Sequence, residues 1–431
     1  RDLVRSRGLG DVYKRQVLGI IAEYNPFHNG HLYHIRESVE QTEADYVVCV
    51  ISGNFVQRGN TSIIDKWTKA KMAIAQGADL VIELPTIYAT SSAENFAEGA
   101  IKILDSLGIV DTLSFGIEAK DLATLNNIAN VLYQEPKEYV TMLSHELSKG
   151  VSFPRARENA LMMYLNDIKR YANVLSGSNN ILGIEYLKAL KKLKSPLKPI
   201  GIKREKVLYH DEIIVDDFAS ATAIRKMIAT RQFDDIIKVI PRSSYILLAQ
   251  ELRKGHYVLD LSKFQKEIIY ILRKMSIKEI EQLPDVSEGL ENAIKNAANS
   301  CNNIIDLVNM VKSKRYTQTR IQRVLIYALL GIDKKMMETA RRTVPYTRIL
   351  GYSEKGKKLI SAIKAKNPKI NLVTSVKEFM DNSKNKVLKE MLAIDIYATN
   401  VYTLGYEKDS WSNLDYTCLL YTSPSPRDRT R

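Results

Sequence analysis

"IAEYNPFHNGHLYH", residues 21–34, decides how this chain is read. An apolar strand runs into a turn of Asn, Pro and Gly, and three histidines follow at intervals of three. Half of the chain's six histidines fall within these seven residues, 28–34. A strand that turns through Asn25, Pro26 and Asn29 into a helix beginning near Gly30 brings backbone N–H groups to a helix N-terminus, where phosphate binds readily. His28 and His31 lie near that end, and Gly30 lets the backbone approach a bound group closely. Imidazoles there can donate hydrogen bonds to phosphate oxygens as charge builds up during displacement. Two other readings stand beside this one. His28, His31 and His34 could form a zinc site, although no acidic or cysteine ligand lies nearby. They could also form a structural cluster, to which His34, a turn into the helix, is expected to belong. Neither G-x-G-x-x-G nor G-x-x-x-x-G-K-[ST] occurs, which disfavours a dinucleotide fold and a P-loop.

Outward from the turn, strand-like and helix-like segments alternate. "VLGIIAEY" (17–24), "DYVVCVIS" (45–52), "DLVIELP" (79–85) and "TLSFG" (112–116) read as strands. Between them, helices are expected from about His31 and over "DKWTKAKMAIAQG" (65–77) and "AENFAEGAIKILDSLG" (93–108). Apolar strands separated by amphipathic helices predict an α/β fold with a parallel sheet, its site at the strands' carboxyl ends. Residues 121–194 read as mostly helical. A further strand, "LKPIGIKREKV" (197–207), precedes "ASATAIRKMIATR" (219–231), where Ser220 or Thr222 can cap a helix. From about Phe233 apolar residues recur at helical spacing, apart from a short strand-like "NLVTS" (371–375). The expected organisation is therefore a Rossmann-like domain over 17–235 and a mainly helical domain over 236–416.

The two ends fit nothing around them. "SRGLGDVYKRQ" (6–16) and "CLLYTSPSPRD" (418–428) can be encoded by opposite strands of one DNA segment resembling a transposon-end adapter used for sequencing libraries. Residues 1–16 and 417–431 are therefore expected to be non-native read-through and are set aside. The natural chain is expected to begin near Val17 and to be cut off near Tyr416. The formal charge of +14 falls to +9 once a net three positive charges in 1–16 and two in 418–431 are removed. That balance favours a polyanionic partner. Cys49 and Cys301 remain, distant and without C-x-x-C, so a reducing cytoplasm with no disulfide framework or zinc knuckle is expected. No apolar run is long enough to span a bilayer, so no membrane role is expected.

Cations cluster in three places. "KSKRYTQTRIQR" (312–323) interleaves Lys312, Lys314, Arg315, Arg320 and Arg323 with Tyr316. Cations on phosphate and rings on splayed bases are how single-stranded RNA loops are held, and a solvated helix face is the alternative. "KALKKLKSPLK" (188–198) and "ARRTVPYTR" (340–348) add more. On "SGNFVQRG" (52–59), Gln57 and Arg58 suit a lid, an anion contact or an ordinary surface loop. Lys66, Lys69 and Lys71, with Trp67, read as either a solvated helix face or an RNA contact.

His28-Asn29-Gly30-His31 after a first strand resembles the H-x-G-H signature of the HIGH-type nucleotidylyl transferase superfamily, which attacks the α-phosphate of ATP. Ala219-Ser220-Ala221-Thr222-Ala223-Ile224-Arg225 resembles its second signature, I-S-S-T-x-[IV]-R, departing from it at Ala219 and Ala221. "GIIAEYNPFHNGHLYH", "SGNFVQRG", "DKWTKAKMA", "DLVIELP", "NNILGIEY", "ASATAIRK" and "KRYTQTRIQR" are further similar to the bacterial tRNA(Met) cytidine acetate ligases, over nearly the whole chain from Val17 to about Tyr416. The resemblance implies a ligase that forms acetyladenylate from acetate and ATP, releases pyrophosphate, and acetylates N4 of the wobble cytidine of elongator tRNA(Met). Magnesium is expected to accompany ATP, although no metal motif is present.

Carried over by motif, the resemblance implies ATP contacts along Ile21, Ala22, Glu23, Tyr24, Asn25, Pro26, Phe27, His28, Asn29, Gly30, His31, Leu32, Tyr33 and His34. It adds Gly116, Asn180 (or Asn179) and Arg204, with Ser220, Thr222 and Arg225 holding pyrophosphate. His28 and His31 are the expected catalytic pair. Lys312, Lys314, Arg315, Tyr316, Arg320 and Arg323 are the expected tRNA contacts. Two other functions stay open: a small-molecule adenylyltransferase of cofactor synthesis, and a non-catalytic tRNA-binding protein.

Overall fold

The apolar run that opens the argument becomes β1 (Val17–Ala22) in a computed structural model that describes residues 15–151, 153–203, 218–418 and 420–422. His28 caps the next helix, α1 (Asn29–Thr42), which leads to β2 (Tyr46–Ser52). All seven residues of β2 are buried, as a continuous apolar, β-branched run requires of a central parallel strand. A small hairpin, β3 (Phe55–Val56) and β4 (Asn60–Thr61), precedes α2 (Lys66–Ala75), whose first turn is capped by Asp65. Then come β5 (Leu80–Leu84), α3 (Ala93–Ser106) and β6 (Thr112–Ile117). Helices Leu122–Gln134, Lys137–Ser148 and Phe153–Leu165 lead to α4 (Ser178–Leu193), β7 (Lys198–Lys203) and α5 (Ala221–Ala229).

β2, β1, β6 and β7 are parallel neighbours in that order, with β5 parallel to β2 on the other side. The chain winds outward from β1 in one direction and returns on its other side at β6. Strand order therefore reverses at β1, and a crevice opens at its carboxyl end. Alternate β1 residues serve opposite faces. Leu18 and Ile20 join Cys49, Ile51 and the buried face of α2. Val17 and Ile21 join Val50, Leu113 and helices α3 and α4.

The second half is largely helical, as the periodicity predicts, and includes α6 (Gln318–Leu330) and α7 (Lys334–Arg342). It also returns a strand to the sheet. No element was expected over "TRILGY", yet β8 (Thr347–Tyr352) lies antiparallel against β5. The "NLVTS" segment supplies β9 (Leu372–Val373) beside β8. The long helix α8 (Lys386–Thr403) follows. Within the stretch expected to be non-native, β10 (Tyr421–Thr422) pairs with the end of β8. Among the described residues no helix is long and apolar enough to cross a membrane.

β8 also corrects the reading of the α2 lysines. Lys66 is 1% exposed, and its Nζ lies 2.9 Å from Glu83 and 2.7 Å from Asp415. Arg348 on β8 meets the same carboxylates at 3.1 and 2.5 Å. Lys69 is fully buried, and its Nζ donates to the carbonyls of Glu23, Ser52 and Gly53 at 3.1, 2.8 and 2.7 Å. Neither lysine forms a solvated face or meets RNA. A lysine that appears exposed from helical spacing is buried here because acceptors from distant segments surround it.

Candidate active site

Beyond β1 the chain turns sharply. Tyr24 has φ +49°, an uncommon conformation for a residue with a side chain, and is held in it by burial. Its ring packs on Phe27 with centroids 4.7 Å apart, and its hydroxyl lies 3.5 Å from Cys49 Sγ. The Asn25 side chain ties the turn to the β4 hairpin, donating to the Thr61 carbonyl (3.1 Å) and accepting from Ile63 N–H (2.8 Å).

The two expected catalytic histidines cap α1 reciprocally. His28 Nδ1 accepts from Gly30 N–H at 3.1 Å, and His31 Nδ1 accepts from His28 N–H at 3.2 Å. Their rings stack with centroids 3.7 Å apart. A neutral imidazole that accepts at Nδ1 carries its proton at Nε2, so each ring is an Nε2–H donor. This capping box also disfavours the zinc reading, because backbone N–H groups take the Nδ1 lone pairs. Among the described residues no three His, Cys, Asp or Glu side chains are grouped to hold a metal. His34 Nε2 lies 2.9 Å from Ser114 Oγ on β6, the structural role expected of it.

Both histidines line a cavity of about 670 Å³ at the carboxyl end of β1. Its wall includes Gly30 of α1, Ala93 of α3, Ser178 and Asn179 of α4, Ala221 of α5 and Thr319 of α6. Each of these residues lies in the first turn of its helix, so five helices begin at one cavity. Helix N-termini carry unpaired N–H groups and partial positive charge, which suits a polyanion.

The expected ATP contacts divide. Ile21, Ala22, Glu23, Tyr24, Asn25, His28, Gly30, His31, Tyr33, His34, Gly116 and Ser220 line the cavity. Phe27 is instead a core residue, fully buried with Tyr24, and Leu32 packs on the same core. Asn29 Nδ2 donates to the Lys238 carbonyl. Pro26 follows Asn25 through a cis peptide bond, and it too is not part of the wall. Asn180 is not in the wall either: its Oδ1 accepts from Glu118 and Ala119 N–H at 2.9 Å, and its Nδ2 donates to the Val174 carbonyl. The alternative, Asn179, does line it. Thr222 is exposed outside the wall and accepts from Arg225 Nη2 at 3.1 Å, while Arg225 Nη1 donates to the Asn25 carbonyl at 2.8 Å. The second motif is thereby bound to the first. Ser220 caps α5, accepting from Ala223 N–H. Arg204 lies outside the described residues.

The basic segment divides as well. Lys312, Lys314 and Arg315 are exposed. Tyr316 donates to the Glu288 carbonyl, with the Arg320 guanidinium 5.7 Å from its ring centroid, and Arg320 Nε donates to the Asp285 carbonyl. Arg323, paired with Asp285 at 2.8 Å, lines the cavity together with Arg58 and Gln57. Phe96, Tyr186, Phe218 and Thr319 are among the further wall residues that were not singled out. Apolar and aromatic residues on helices carry no sign that separates a cavity wall from a core. Burial, then Glu23, pushes the Tyr186 hydroxyl well above its ordinary range. Beneath the wall, burial pulls Lys69 down to about 7, with Glu23 and Glu83 opposing.

The HIGH Nucleotidyl Transferase family model matches residues 15–415. A tRNA(Met) cytidine acetate ligase from Caldanaerobacter subterraneus subsp. tengcongensis is 46% identical over 401 residues, covering 93% of this chain and 98% of that protein. One from Acetivibrio thermocellus is 44% identical over 402 residues, covering 92% and 96%. Thermotoga maritima TmcAL in its apo form superposes with a TM-score of 0.89 at 33% identity, over 95% of this chain and 100% of that one. The same protein bound with alpha-thio ATP gives 0.87 at 33% identity, over 94% and 99%.

Proposed function

Since the chain belongs to the HIGH Nucleotidyl Transferase family and stands among the tRNA(Met) cytidine acetate ligases, we propose that its cavity joins acetate to AMP and then passes the acetyl group to N4 of the wobble cytidine of elongator tRNA(Met). The observation that carries this reading is the meeting of five helix N-termini around the His28–His31 pair. A triphosphate is the polyanion such a wall suits, and a relative of the same fold was crystallised with an ATP analogue.

In the first step an acetate oxygen attacks the α-phosphorus and pyrophosphate departs. The Nε2–H groups of His28 and His31 stabilise the charge that builds on the α-phosphate. The N-terminus of α5, capped by Ser220, receives the pyrophosphate, while Arg225, outside the wall, braces the turn through the Asn25 carbonyl. Magnesium, where it accompanies ATP as part of the substrate, would offset the charge of the phosphates. Among the described residues the wall offers a single carboxylate, Glu23, among helix N-termini and apolar side chains, which does not fit a resident ion, and no step is drawn through one. In the second step the amine of the tRNA base meets the mixed anhydride in the same cavity, where proximity supplies much of the rate. The exposed Lys312, Lys314 and Arg315 lie just ahead of α6 and hold the RNA backbone outside.

Acetate-dependent ATP–pyrophosphate exchange tests the reading. Exchange is expected with acetate in preference to longer carboxylates, and His31→Ala should lower it by about 10²–10³-fold, the effect of losing one transition-state donor. Absence of exchange with every acid, with or without tRNA, would overturn it.

A further inference from the structure

A carboxylate among phosphate-binding helix ends is out of place, since it repels the anion the wall is built for. Glu23, one residue beyond β1, is that carboxylate: it lines the cavity and is half-buried. We infer that Glu23 receives the amine of the incoming cytidine and takes its proton in the acetyl-transfer step, an inference that rests on the ligase reading above.

The residue is held at both ends. Its carbonyl accepts from Lys69 Nζ at 3.1 Å, and its Oε1 accepts from Gln57 N–H at 2.9 Å. Gln57 is anchored in turn through Nε2 to the Ser91 carbonyl at 3.2 Å. Among the described residues the Gln57 bond is the one hydrogen bond the carboxylate makes, so its second oxygen keeps its lone pairs for a donor. The Gln57 loop presses against α6, the helix that follows the exposed cations of 312–315. Glu23 therefore lies on the side of the cavity that a base extruded from RNA would reach. The exocyclic amine of cytosine is a donor, and carboxylates are its natural acceptors. In the transfer, N4 attacks the acetyl carbon and an N–C bond forms. The bond from that carbon to the phosphate oxygen breaks, AMP leaves with the electron pair, and the N4 proton passes to Glu23 and on to solvent.

Glu23→Gln in the full chain separates the two steps, because the amide keeps the shape and an oxygen for Gln57 but cannot take a proton. Acetate-dependent exchange is measured beside single-turnover acetylation of an elongator tRNA(Met) transcript. Transfer should fall at least about 100-fold further than exchange does, the range for loss of a general base. Equal losses in both steps would overturn the inference, since a carboxylate that reads the adenine amine, carries a metal or merely supports the fold affects both. Unchanged transfer would overturn it too. Absence of exchange in the unsubstituted protein would instead remove the ligase reading itself, a failure visible before any variant is made.

Discussion

Asp395, on α8, is buried and accepts hydrogen bonds from Thr86 N–H at 2.7 Å and from the Tyr346 hydroxyl. Burial, reinforced by Glu83 and opposed by Lys66, pushes its carboxyl up to about 7 from an ordinary 3.8. Between these values the folded chain keeps a proton that the unfolded chain has released. By linkage, stability from this group is full below about 3.8 and declines as pH rises through 7. Asp395→Asn removes the titration while keeping the shape. Its melting temperature should exceed that of the parent at pH 8 by a few degrees, with the difference shrinking towards pH 5. Melts of both proteins across that range check this, and parallel curves would show that another group titrates. Nothing in "MLAIDIYATN" marks Asp395, since its partners lie 309 and 49 residues away. His28 and His31 are the opposite case: the His28 ring accepts from Gly30 N–H two residues on and the His31 ring from His28 N–H three residues back, and spacing alone places them.

Among the elements, the β3–β4 hairpin packs closely against the distant helix α6. Gly59 has φ +76°, and a Cβ there would lie 2.6 Å from Arg323 N and 2.7 Å from the Gln322 carbonyl carbon of α6. Gly59→Ala incurs both a left-handed backbone cost of about 1 kcal/mol or more and a clash with main chain that cannot rotate away. Denaturant unfolding should show a loss above that figure. Because the hairpin carries Gln57 and Arg58 while α6 carries Thr319 and Arg323, the KM for tRNA should rise more than that for acetate. Equal KM changes would mean the wall had not moved. The helices α1, α3 and α5 were legible from their periodicity and caps. That α3 and α6 also start at the cavity was not, because convergence is a property of packing and leaves no local pattern.

Across the whole molecule, four charges join the halves. Lys66 and Glu83 come from the N-terminal half, and Arg348 and Asp415 from the C-terminal half. Burial alone would raise Asp415, but Lys66 and Arg348 hold it down to about 2. Asp415→Ala leaves two buried cations facing one carboxylate, which costs about 3–5 kcal/mol. Since β8 belongs to the sheet, both halves should melt earlier and together. Two separated transitions by near- and far-UV circular dichroism would contradict this coupling.

By itself the amino-acid order determined the parallel α/β half, the strand–turn–helix around His28 and His31, the second motif at Ser220, and the family these imply. These features are local: periodicity, caps and turns act over a few residues, and the physics that produces them is written in consecutive letters. Only the tertiary structure decided that Asn180 braces a loop while Asn179 faces the cavity, that Lys66 and Lys69 are interior, that "TRILGY" completes the sheet, and that Arg323 reaches the ATP motif's cavity. Each of these depends on groups tens to hundreds of residues apart meeting in space, where burial and charge pairing outweigh the preferences of the local segment.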